Sequence, residues 1–533
     1  MSRTLGEILA TRAAESPDHA IVRFEDAVVT YADLDAAANR VANGLGALGL
    51  ERGDRAAVML SNRPEFLATW FGMAKAGIVE VPLNTGLRGD MLAYMLNQAE
   101  CRALVIDEQW LERIERIAPS LATLRDVVVV PSTSTESTPR ATDLPGALST
   151  RSWADLLDAP STAPEVEIDP FDRSVILFTS GTTGPSKGAV LTHNAHVAQA
   201  QNVCDLMRYG PGETLFNAFP LFHVNARYTS VLPAMLLDGG SLVLHDRFSA
   251  SRFWEICRAE SVTAFNFMGA MVMMLQKQPE RPDDADNPVR CAYGAPAPVA
   301  IQETFQERFG LELVEVYGST ELCCATQNTL AVPHPRGSCG RASPLYEVEI
   351  HDEHGHRLPP GVEGEIVVRP REPHAMVEEY VGNPEATVAA FRGCWFHTGD
   401  RGRVDENGWF FFSDRLKDAI RRRGENISSW ELEQVLNDHE AVEETAVIGV
   451  PSELTEEEVL AVVKLKEGAA LAPEALLDFA QERVPHFAVP RYVRFVAELP
   501  KNHAQRIEKP VLRAVGVTPD TWDRELHGYE VRR

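Results

Sequence analysis

The sequence is poor in basic residues relative to acidic ones. Its 533 residues include 51 lysines and arginines against 77 aspartates and glutamates, which gives a formal net charge of −26 at pH 7. A chain of that sign repels nucleic acid and anionic membrane surfaces, so we expect neither as a main partner. Any polyanionic ligand must therefore find a local basic patch.

The sequence also lacks paired cysteines and long apolar runs. Its eight cysteines are scattered without a CxxC pair, which is typical of reduced thiols that are buried as small apolar side chains. No uncharged apolar run reaches the roughly 18 residues that a membrane-spanning helix needs. Glu7 and Arg12 interrupt any signal-peptide pattern, and MSRTLGEILATRAAESP is more typical of a capped amphipathic helix. We expect a soluble, cytoplasmic protein.

Helical and strand patterns alternate through the first part of the chain. The segment 31–50 has apolar residues at helical spacing, 54–60 predicts a buried strand, 64–77 predicts a helix and 78–84 predicts another strand. Strand–helix–strand order with short connections predicts an α/β fold with a doubly wound parallel sheet. The Ser/Thr/Pro-rich stretch 131–150 predicts an exposed excursion.

The Met-rich segment 264–276 is apolar on nearly every side. It predicts a buried core helix, and the alternative is the wall of a substrate pocket. Both interpretations are compatible, because a pocket wall is part of the core on its other side.

The pattern changes in the last third of the chain. Residues 345–413 alternate in polarity between turn signals, which predicts antiparallel β structure. Beyond them, helix, strand, strand and helix patterns predict a small α+β domain. We place one domain at 1–414 and a second at 418–533, with a hinge near 415–418.

A loop rich in glycine and hydroxyl residues follows the apolar run 175–178. In TSGTTGPSKG, residues 179–188, the spacing fails the Walker pattern, which needs four residues between its first glycine and Gly-Lys-Ser/Thr. The ingredients of an anion site are present all the same: glycines that expose backbone amides, hydroxyl donors, and the ammonium of Lys187. We interpret the loop as a phosphate-binding loop, and the alternative is a flexible surface turn.

This loop and four later motifs resemble the adenylate-forming superfamily of acyl-CoA synthetases, nonribosomal adenylation domains and luciferases. The later motifs follow in the order of that family: PLFHVNA (220–226), YGSTE (317–321), WFHTGD (395–400) and DRLKDAIRRRGENISSWELE (414–433). Five motifs in order, over nearly the whole chain, make the resemblance specific. It implies a large N-terminal domain of doubly wound sheets with a β-rich subdomain, and a small mobile α+β C-terminal lid.

The resemblance implies ATP, Mg²⁺ and coenzyme A as ligands. Glu321 would bind Mg²⁺, Tyr317 would stack on adenine, and the ionised Asp400 would accept hydrogen bonds from the ribose hydroxyls. The implied ATP-binding residues are Thr179, Ser180, Gly181, Thr182, Thr183, Gly184, Lys187, Gly294, Ala295, Pro296, Tyr317, Gly318, Ser319, Thr320, Asp400 and Arg415.

The resemblance also implies an acid-binding site. A lone histidine is more often structural than catalytic, but the setting of His223 in PLFHVN places it beside the carboxylate being activated. The implied substrate-binding residues are His223, Asn225, Tyr228, Phe267, Met268, Tyr293, Leu322 and Cys323. The implied catalytic residues are Lys187, His223, Glu321 and Arg506.

Basic side chains cluster at the predicted hinge of this acidic chain, at Arg415, Lys417 and 421–423. The ordinary interpretation is a solvated helix face, whereas a cationic cluster would suit ATP, pyrophosphate or the nucleotide end of CoA. The resemblance makes Lys417 the pivot and puts Arg423, Gly424 and Glu425 on the CoA side. Arg423 stands where the family more often has the first of two glycines.

The chain departs from the family at its catalytic lysine. In LPKNHAQRIEKPVLR, residues 499–513, Arg506 occupies that position and Gln505 replaces the preceding glycine. Arginine keeps the charge but presents a planar, bulkier fork, so the exchange is not conservative. Three interpretations follow, in this order of preference. Arg506 itself takes the role of the lysine, or Lys509 or Lys501 takes that role, or the first step uses an unusual substrate.

We predict an ATP-dependent, AMP-forming acid–CoA ligase that adenylates a medium-chain or aryl acid, releases pyrophosphate and transfers the acyl group to CoA. The alternatives are a carrier-protein ligase, an ATP-dependent diazotase that activates nitrite for an aryl amine, and a regulatory nucleotide-binding protein. Amino-acid adenylation is disfavoured, because the stretch after Pro220 lacks the aspartate that holds an α-amino group. The sequence does not decide the oligomeric state, and a homodimer is one possibility.

Overall fold

The described residues of the computed structural model fall into two units. The structure describes residues 3–132, 144–145, 148–179, 186–297, 299, 301–415, 419–452, 456–501 and 507–532. Unit 1 consists of Met1–Thr85, Leu96–Leu177 and Gly188–Asp414. Unit 2 consists of Gly86–Met95, Phe178–Lys187 and Arg415–Arg533. The domain limits drawn from the sequence stay a prediction, and the predicted excursion 131–150 lies mostly outside the described residues.

Eight strands among these residues form the first large sheet. In sheet order they are Glu379–Tyr380, Lys187–Thr192, Arg173–Thr179, Val79–Pro82, Arg55–Met59, Ala103–Asp107, Asp126–Val130 and Ser149–Ser152. The strand Arg55–Met59 is parallel to both of its neighbours, with Ala57 opposite Val81 and Leu104. This confirms the parallel sheet predicted from the strand–helix–strand order.

A second large sheet contains nine strands within the described part of unit 1. In sheet order they are Arg341–Ala342, Thr326–Gln327, Glu312–Tyr317, Cys291–Gly294, Ala264–Phe267, Thr214–Asn217, Ser241–Leu244, Ala20–Phe24 and Ala27–Thr30. The pairs from Glu312–Tyr317 to Ala20–Phe24 are parallel. Their carboxyl ends therefore meet at one edge of the sheet, the usual position of a ligand in such folds.

The prediction of one buried helix over 264–276 is wrong. Ala264–Phe267 is a central strand of the nine-stranded sheet, and only Gly269–Gln276 is helical. Met274 is 42% exposed, so the helix is not buried on all sides. A short apolar run does not distinguish a buried strand from a buried helix, and this run pairs with parallel strands on both sides.

The helices that precede residue 414 begin with the one predicted at the N-terminus. Thr4 caps it through a capping box with Glu7. The α-helices are Leu5–Glu15, Tyr31–Ala47, Pro64–Ala76, Gly89–Gln98, Leu111–Ile117, Trp153–Leu157, His193–Leu206, Val224–Ala226, Leu232–Leu236, Phe253–Ala259, Gly269–Gln276, Gln302–Phe309 and Pro384–Ala390. Across the described ranges of the chain, no helix has the length and apolar character to cross a membrane.

A β-rich subdomain completes unit 1, as the alternation over 345–413 predicted. Its strands are Tyr346–His351, Gly364–Pro370, Phe391–Arg392, Trp395–Val404 and Phe410–Arg415. The pairs around Gly364–Pro370 and Trp395–Val404 are antiparallel. The long strand Trp395–Val404 carries the predicted ribose motif.

Unit 2 contains the α+β pattern predicted for the C-terminal part of the chain. A hairpin of Ala419–Arg422 and Glu425–Ser428 precedes the helix Ser429–Asn437. An apolar core that includes Leu432, Leu476 and Val463 holds the unit together. The remaining helices and the strands of a mixed sheet are, in chain order, Val442–Pro451, Glu457–Leu465, Pro473–Gln481, Tyr492–Val496, Lys509–Val515 and Trp522–Asp523.

Candidate functional site

Several predicted binding residues lie where neighbouring parallel strands of the nine-stranded sheet end. Phe267 and Met268 stand at the end of one strand, Gly294 at the end of the next, and Tyr317 at the end of the third. Because parallel strands share their carboxyl edge, residues from three distant parts of the sequence come together there. The fold thus places two predicted acid-binding residues, Phe267 and Met268, at the same edge as the predicted nucleotide-binding residues Gly294 and Tyr317.

Two of the predicted nucleotide-binding side chains meet directly. Tyr317 Oη donates a hydrogen bond to Asp400 Oδ2 over 2.7 Å, although the two residues are 83 positions apart. Both side chains are buried. Burial, and then the charge of Asp400, raise the pKa of Tyr317 well above its ordinary value. The phenol therefore stays protonated and donates to the carboxylate.

Neighbouring residues fix Asp400 and extend the aromatic surface. The backbone N–H of Asp400 donates to Thr398 Oγ1 over 3.1 Å, and that hydroxyl donates to the carbonyl of Ile366 over 2.7 Å. The ring of Phe412 stacks on Tyr317 with 5.8 Å between centroids, and its side chain is 45% exposed. Sequence reasoning did not single out Thr398, although it stands in the WFHTGD motif, and it missed Phe412, which only the folded strands bring beside Tyr317.

Glu321 is held in place by a tyrosine that the sequence did not point to. Tyr380 Oη donates to Glu321 Oε1 over 2.8 Å, and the backbone N–H of Val377 donates to the Glu321 carbonyl over 2.9 Å. Burial, followed by the Glu321 charge, raises the pKa of Tyr380. An ionised carboxylate can accept about four hydrogen bonds or metal contacts, so this contact leaves Glu321 able to bind a cation.

The metal that the resemblance implies fits this single carboxylate. Within the described residues no group of three or more His, Cys, Asp and Glu side chains could hold an ion. Mg²⁺ is commonly held by one or two carboxylates together with substrate phosphates, rather than by a cage of protein ligands. Glu321 satisfies that requirement.

The YGSTE motif forms a tight turn that needs its glycine. A Cβ atom on Gly318 would lie 1.6 Å from the carbonyl oxygen of Cys323, so any side chain there would clash with the backbone. The N–H of Cys323 donates to the carbonyl of Ser319 over 2.7 Å, which closes the turn. Ser319 Oγ is buried, and no described residue is its hydrogen-bond partner. This hydroxyl is available to a ligand.

His223 and Asn225 lie at the start of a short helix. Val224–Ala226 is capped by His223, whose Nδ1 accepts from the N–H of Asn225 over 3.2 Å. Asn225 Oδ1 accepts from Asn266 Nδ2 over 2.7 Å and from Thr229 Oγ1 over 3.2 Å. The structure therefore gives His223 a capping contact through Nδ1, and its role toward an acid stays a prediction.

The structure brings together only some of the predicted acid-binding residues. Tyr228, Tyr293 and Cys323 pack in one core cluster. Phe267 packs in a second cluster and Leu322 in a third. That these residues line one acid pocket stays a prediction.

The phosphate-loop residues stand at the ends of two adjacent strands. Thr179 ends the strand Arg173–Thr179, and Lys187 begins the strand Lys187–Thr192. The predicted site residues that lie outside the described part of the chain are Ser180, Gly181, Thr182, Thr183, Gly184, Lys417 and Arg506.

The two lysines considered as substitutes for the family lysine are held by glutamates. Lys501 Nζ lies 2.6 Å from Glu444 Oε2. Lys509 Nζ lies 2.7 Å from Glu433 Oε1 and donates to Ser429 Oγ over 2.9 Å. Either lysine would have to break an ion pair to reach a substrate, and the role of Arg506 stays a prediction.

The interpretation of the hinge arginines as a solvated helix face is wrong. Residues 421–422 belong to a strand that pairs with Glu425–Ser428, because Arg423 and Gly424 have φ angles of 51° and 85° and form a two-residue hairpin turn. Positive φ angles favour glycine, which explains why a glycine is common at position 423 in the family and why Gly424 is suited to its place.

The arginines of this hairpin face glutamates rather than solvent alone. Arg421 Nε lies 3.3 Å from Glu456 Oε1, and Arg422 Nε lies 2.5 Å from Glu458 Oε2. Arg423 Nη2 lies 3.4 Å from Glu458 Oε1. The three arginines at 421–423 are therefore largely neutralised within unit 2, and the binding of a polyanion by the basic cluster stays a prediction.

Family models match most of the chain. The model of the AMP-binding enzyme family matches residues 9–380, and the model of the AMP-binding enzyme C-terminal domain matches residues 431–506. A crotonobetaine/carnitine–CoA ligase of Salmonella choleraesuis (strain SC-B67) is 31% identical over 488 residues, which cover 91% of this chain and 93% of that protein.

Solved structures agree with this match. The o-succinylbenzoate CoA synthetase of Bacillus subtilis superposes with a TM-score of 0.80 at 26% identity, covering 95% of this chain and 98% of that one. The amide bond synthetase McbA of Marinactinospora thermotolerans superposes with a TM-score of 0.80 at 27% identity, covering 95% and 99%. The chain therefore belongs to the AMP-binding enzyme family, the adenylate-forming acid–CoA ligases, and is an AMP-forming ligase.

Proposed function

We propose that this chain adenylates a medium-chain or aryl carboxylic acid with ATP, releases pyrophosphate, and transfers the acyl group to the thiol of CoA. The hydrogen bond between Tyr317 and Asp400 is the observation that carries the proposal. It joins the predicted adenine motif to the predicted ribose motif in one buried contact. The family match and the CoA ligases among its relatives support the same reaction.

Asp400 is the residue that positions the nucleotide in this proposal. A buried carboxylate that is already oriented by Tyr317 can accept hydrogen bonds from both hydroxyls of a ribose, and Thr398 holds the backbone N–H of the same residue. The stacked rings of Tyr317 and Phe412 offer a flat surface for the base. The carboxylate of the acid then attacks the α-phosphate, and the bond from that phosphorus to pyrophosphate breaks.

In this proposal, cationic groups neutralise the negative charge of the ATP phosphates. Lys187 and the adjoining loop hold the phosphate groups, and Glu321 holds Mg²⁺, which neutralises negative charge on the phosphates when it is bound. Arg506 contributes its guanidinium as the adenylate forms. No protein nucleophile is needed, so the eight free cysteines, all of them described, carry no chemical step.

Product analysis with a panel of acids tests the proposed function. The purified chain is incubated with ATP, Mg²⁺ and medium-chain or aryl acids, with and without CoA, and AMP, pyrophosphate and thioester are quantified. We expect AMP formation that depends on the acid, and acyl-CoA when CoA is present. Amines are included as acceptors, because one neighbouring structure is an amide bond synthetase.

The outcomes separate this reaction from the alternatives. Adenylation of an acid without transfer to CoA would show that the acyl acceptor is not CoA but another molecule, such as an amine or a carrier protein. AMP formation with nitrite and an aryl amine, but with no acid, would show a diazotase. Absence of AMP under all these conditions would leave only nucleotide binding and would refute the proposal.

The variant Glu321→Gln is expected to raise the Mg²⁺ concentration for half-maximal activity about tenfold, because the amide keeps the shape but loses the charge of the metal ligand. Initial rates of AMP formation over a Mg²⁺ titration measure this shift. Glu303→Gln is the control, since Glu303 is exposed on the helix Gln302–Phe309. An unchanged Mg²⁺ dependence in Glu321→Gln would exclude Glu321 as the ligand.

A further inference from the structure

Two buried polar side chains of one helix lie in the same part of unit 1 as Tyr228, one of them in contact with its ring. His196 and Gln199 lie one turn apart on the helix His193–Leu206. The His196 ring meets the Tyr228 ring edge-on, with 5.0 Å between the centroids. Gln199 Nε2 donates to the hydroxyl of Tyr346 and, over 3.2 Å, to the carbonyl of Ala375. The exposed fractions of Tyr228, His196 and Gln199 are 1%, 0% and 2%.

Four polar atoms of this group lack a hydrogen-bond partner among the described residues. They are Tyr228 Oη, both ring nitrogens of His196, and Gln199 Oε1. The large majority of buried side-chain polar atoms in folded proteins are paired, so four unpaired atoms on three neighbouring side chains need an explanation. A ligand that supplies both donors and acceptors at this place would satisfy them.

The same tyrosine belongs to the candidate acid site. Tyr228 follows His223 by five residues on one helical stretch, where Arg227–Val231 forms a π-helical turn, a feature frequent at functional sites. Tyr228 also shares a core cluster with Tyr293 and Cys323. If His223 lies beside the carboxylate, as the family resemblance implies, Tyr228 stands further along the acyl group.

The group is electrically neutral. Burial, and then the nearby charge of Arg227, lower the pKa of His196 well below its ordinary value, so its ring is uncharged at neutral pH. Burial raises the pKa of Tyr228, so its phenol is also uncharged. Arg227 itself is paired with Glu80 through two hydrogen bonds of 2.7 and 2.6 Å. A charged substituent placed here would be buried without a counter-charge, which is unfavourable.

We propose that the acid carries an uncharged hydrogen-bonding substituent, a hydroxyl or amino group on an aryl ring, which is bound by Tyr228, His196 and Gln199. This inference rests on the proposed function, because it takes the acyl group to extend from His223 toward Tyr228. The substituent would donate to Gln199 Oε1 or a ring nitrogen of His196 and accept from Tyr228 Oη. The site selects against unsubstituted rings, and equally against rings with a second carboxylate.

Three matched acids test this inference: benzoate, hydroxybenzoate and the corresponding benzene dicarboxylate, with the hydroxyl at the meta or para position. Acid-dependent pyrophosphate release gives kcat/KM, and calorimetry gives the affinity of each acid. We expect hydroxybenzoate to exceed both other acids at least tenfold in the wild-type chain, since a polar site left unpaired by an analogue rejects it strongly. Tyr228→Phe is expected to reduce this preference about tenfold.

Tyr31→Phe is the matched control. Tyr31 Oη is also buried without a hydrogen-bond partner in the described part of the chain, but Tyr31 belongs to the helix Tyr31–Ala47 and stacks on His19. This variant loses the same hydroxyl from a buried ring and should keep the wild-type preference. Melting temperatures of both variants confirm that they are folded.

The outcomes distinguish this inference from the proposed function. A wild-type preference for benzoate or the dicarboxylate, or an unchanged preference in Tyr228→Phe, would overturn the inference while leaving adenylation intact. A third result is that the wild-type chain binds hydroxybenzoate preferentially, Tyr228→Phe loses this preference, and no AMP forms. That result would uphold the inference and refute the proposed reaction. No difference in binding or turnover among the acids would overturn the inference.

Discussion

Asp400→Ala is expected to lower kcat/KM for ATP about 100-fold. The carboxylate of Asp400 is buried, accepts from Tyr317 Oη over 2.7 Å, and in the proposed function accepts from the ribose as well. Hydrogen bonds to a charged group contribute about 1.5–3 kcal/mol each, so losing two to the ribose amounts to about 3 kcal/mol or more. Initial rates of AMP formation over an ATP titration measure the change.

Two further variants show whether this loss is specific. Tyr317→Phe removes only the orienting hydroxyl and should cost about tenfold, because the carboxylate remains. Glu406→Ala removes an exposed acidic side chain in the turn that follows the same strand and should leave kcat/KM for ATP unchanged. If Asp400→Ala alters the rate no more than Glu406→Ala does, Asp400 does not bind the nucleotide.

The sequence was sufficient for the fold where local pattern and order agree. Apolar spacing predicted the helices that the structure shows at Tyr31–Ala47 and Pro64–Ala76. The order of strands and helices predicted the parallel pairing around Arg55–Met59. The pattern failed at Ala264–Phe267, where only the neighbouring strands decide between strand and helix.

Motif residues of the site could be named from the sequence, whereas their partners could not. Tyr317 and Asp400 stand in recognisable motifs, and the structure joins them. Tyr380 and Phe412 stand in no such motif, and they reach Glu321 and Tyr317 only through strand pairing in the fold. Contacts between residues far apart in sequence depend on the register of the sheets, which local patterns do not report.

The charge pattern of the hairpin shows the same limit. Local sequence shows three consecutive arginines at 421–423 and predicts a cationic patch. The fold places Glu456 and Glu458 opposite them, so most of that charge is compensated. Net charge along a segment therefore predicts an anion site only when the facing strand is known.

Glu80→Gln is expected to lower the free energy of unfolding by about 3–5 kcal/mol. Glu80 lies on the buried strand Val79–Pro82, and its carboxylate binds both terminal nitrogens of Arg227. The exposed fractions of the two side chains are 1% and 0%. Glutamine leaves the guanidinium buried without a counter-charge, and breaking such a pair costs more than the pair contributes. Urea unfolding followed by circular dichroism measures the loss.

A double variant and an exposed pair make this prediction specific. Glu80→Leu combined with Arg227→Met removes both charges and should recover much of the stability lost in Glu80→Gln, since a buried apolar pair needs no counter-charge. The pair Glu112 and Arg116 is 70% and 64% exposed, so Glu112→Gln should change the free energy by about 0.5 kcal/mol or less. If Glu80→Gln lowers the free energy of unfolding no more than Glu112→Gln does, the buried guanidinium of Arg227 does not need Glu80 as its counter-charge. The result also concerns the proposed acid site, because Arg227 precedes Tyr228 in the chain and its charge lowers the pKa of His196.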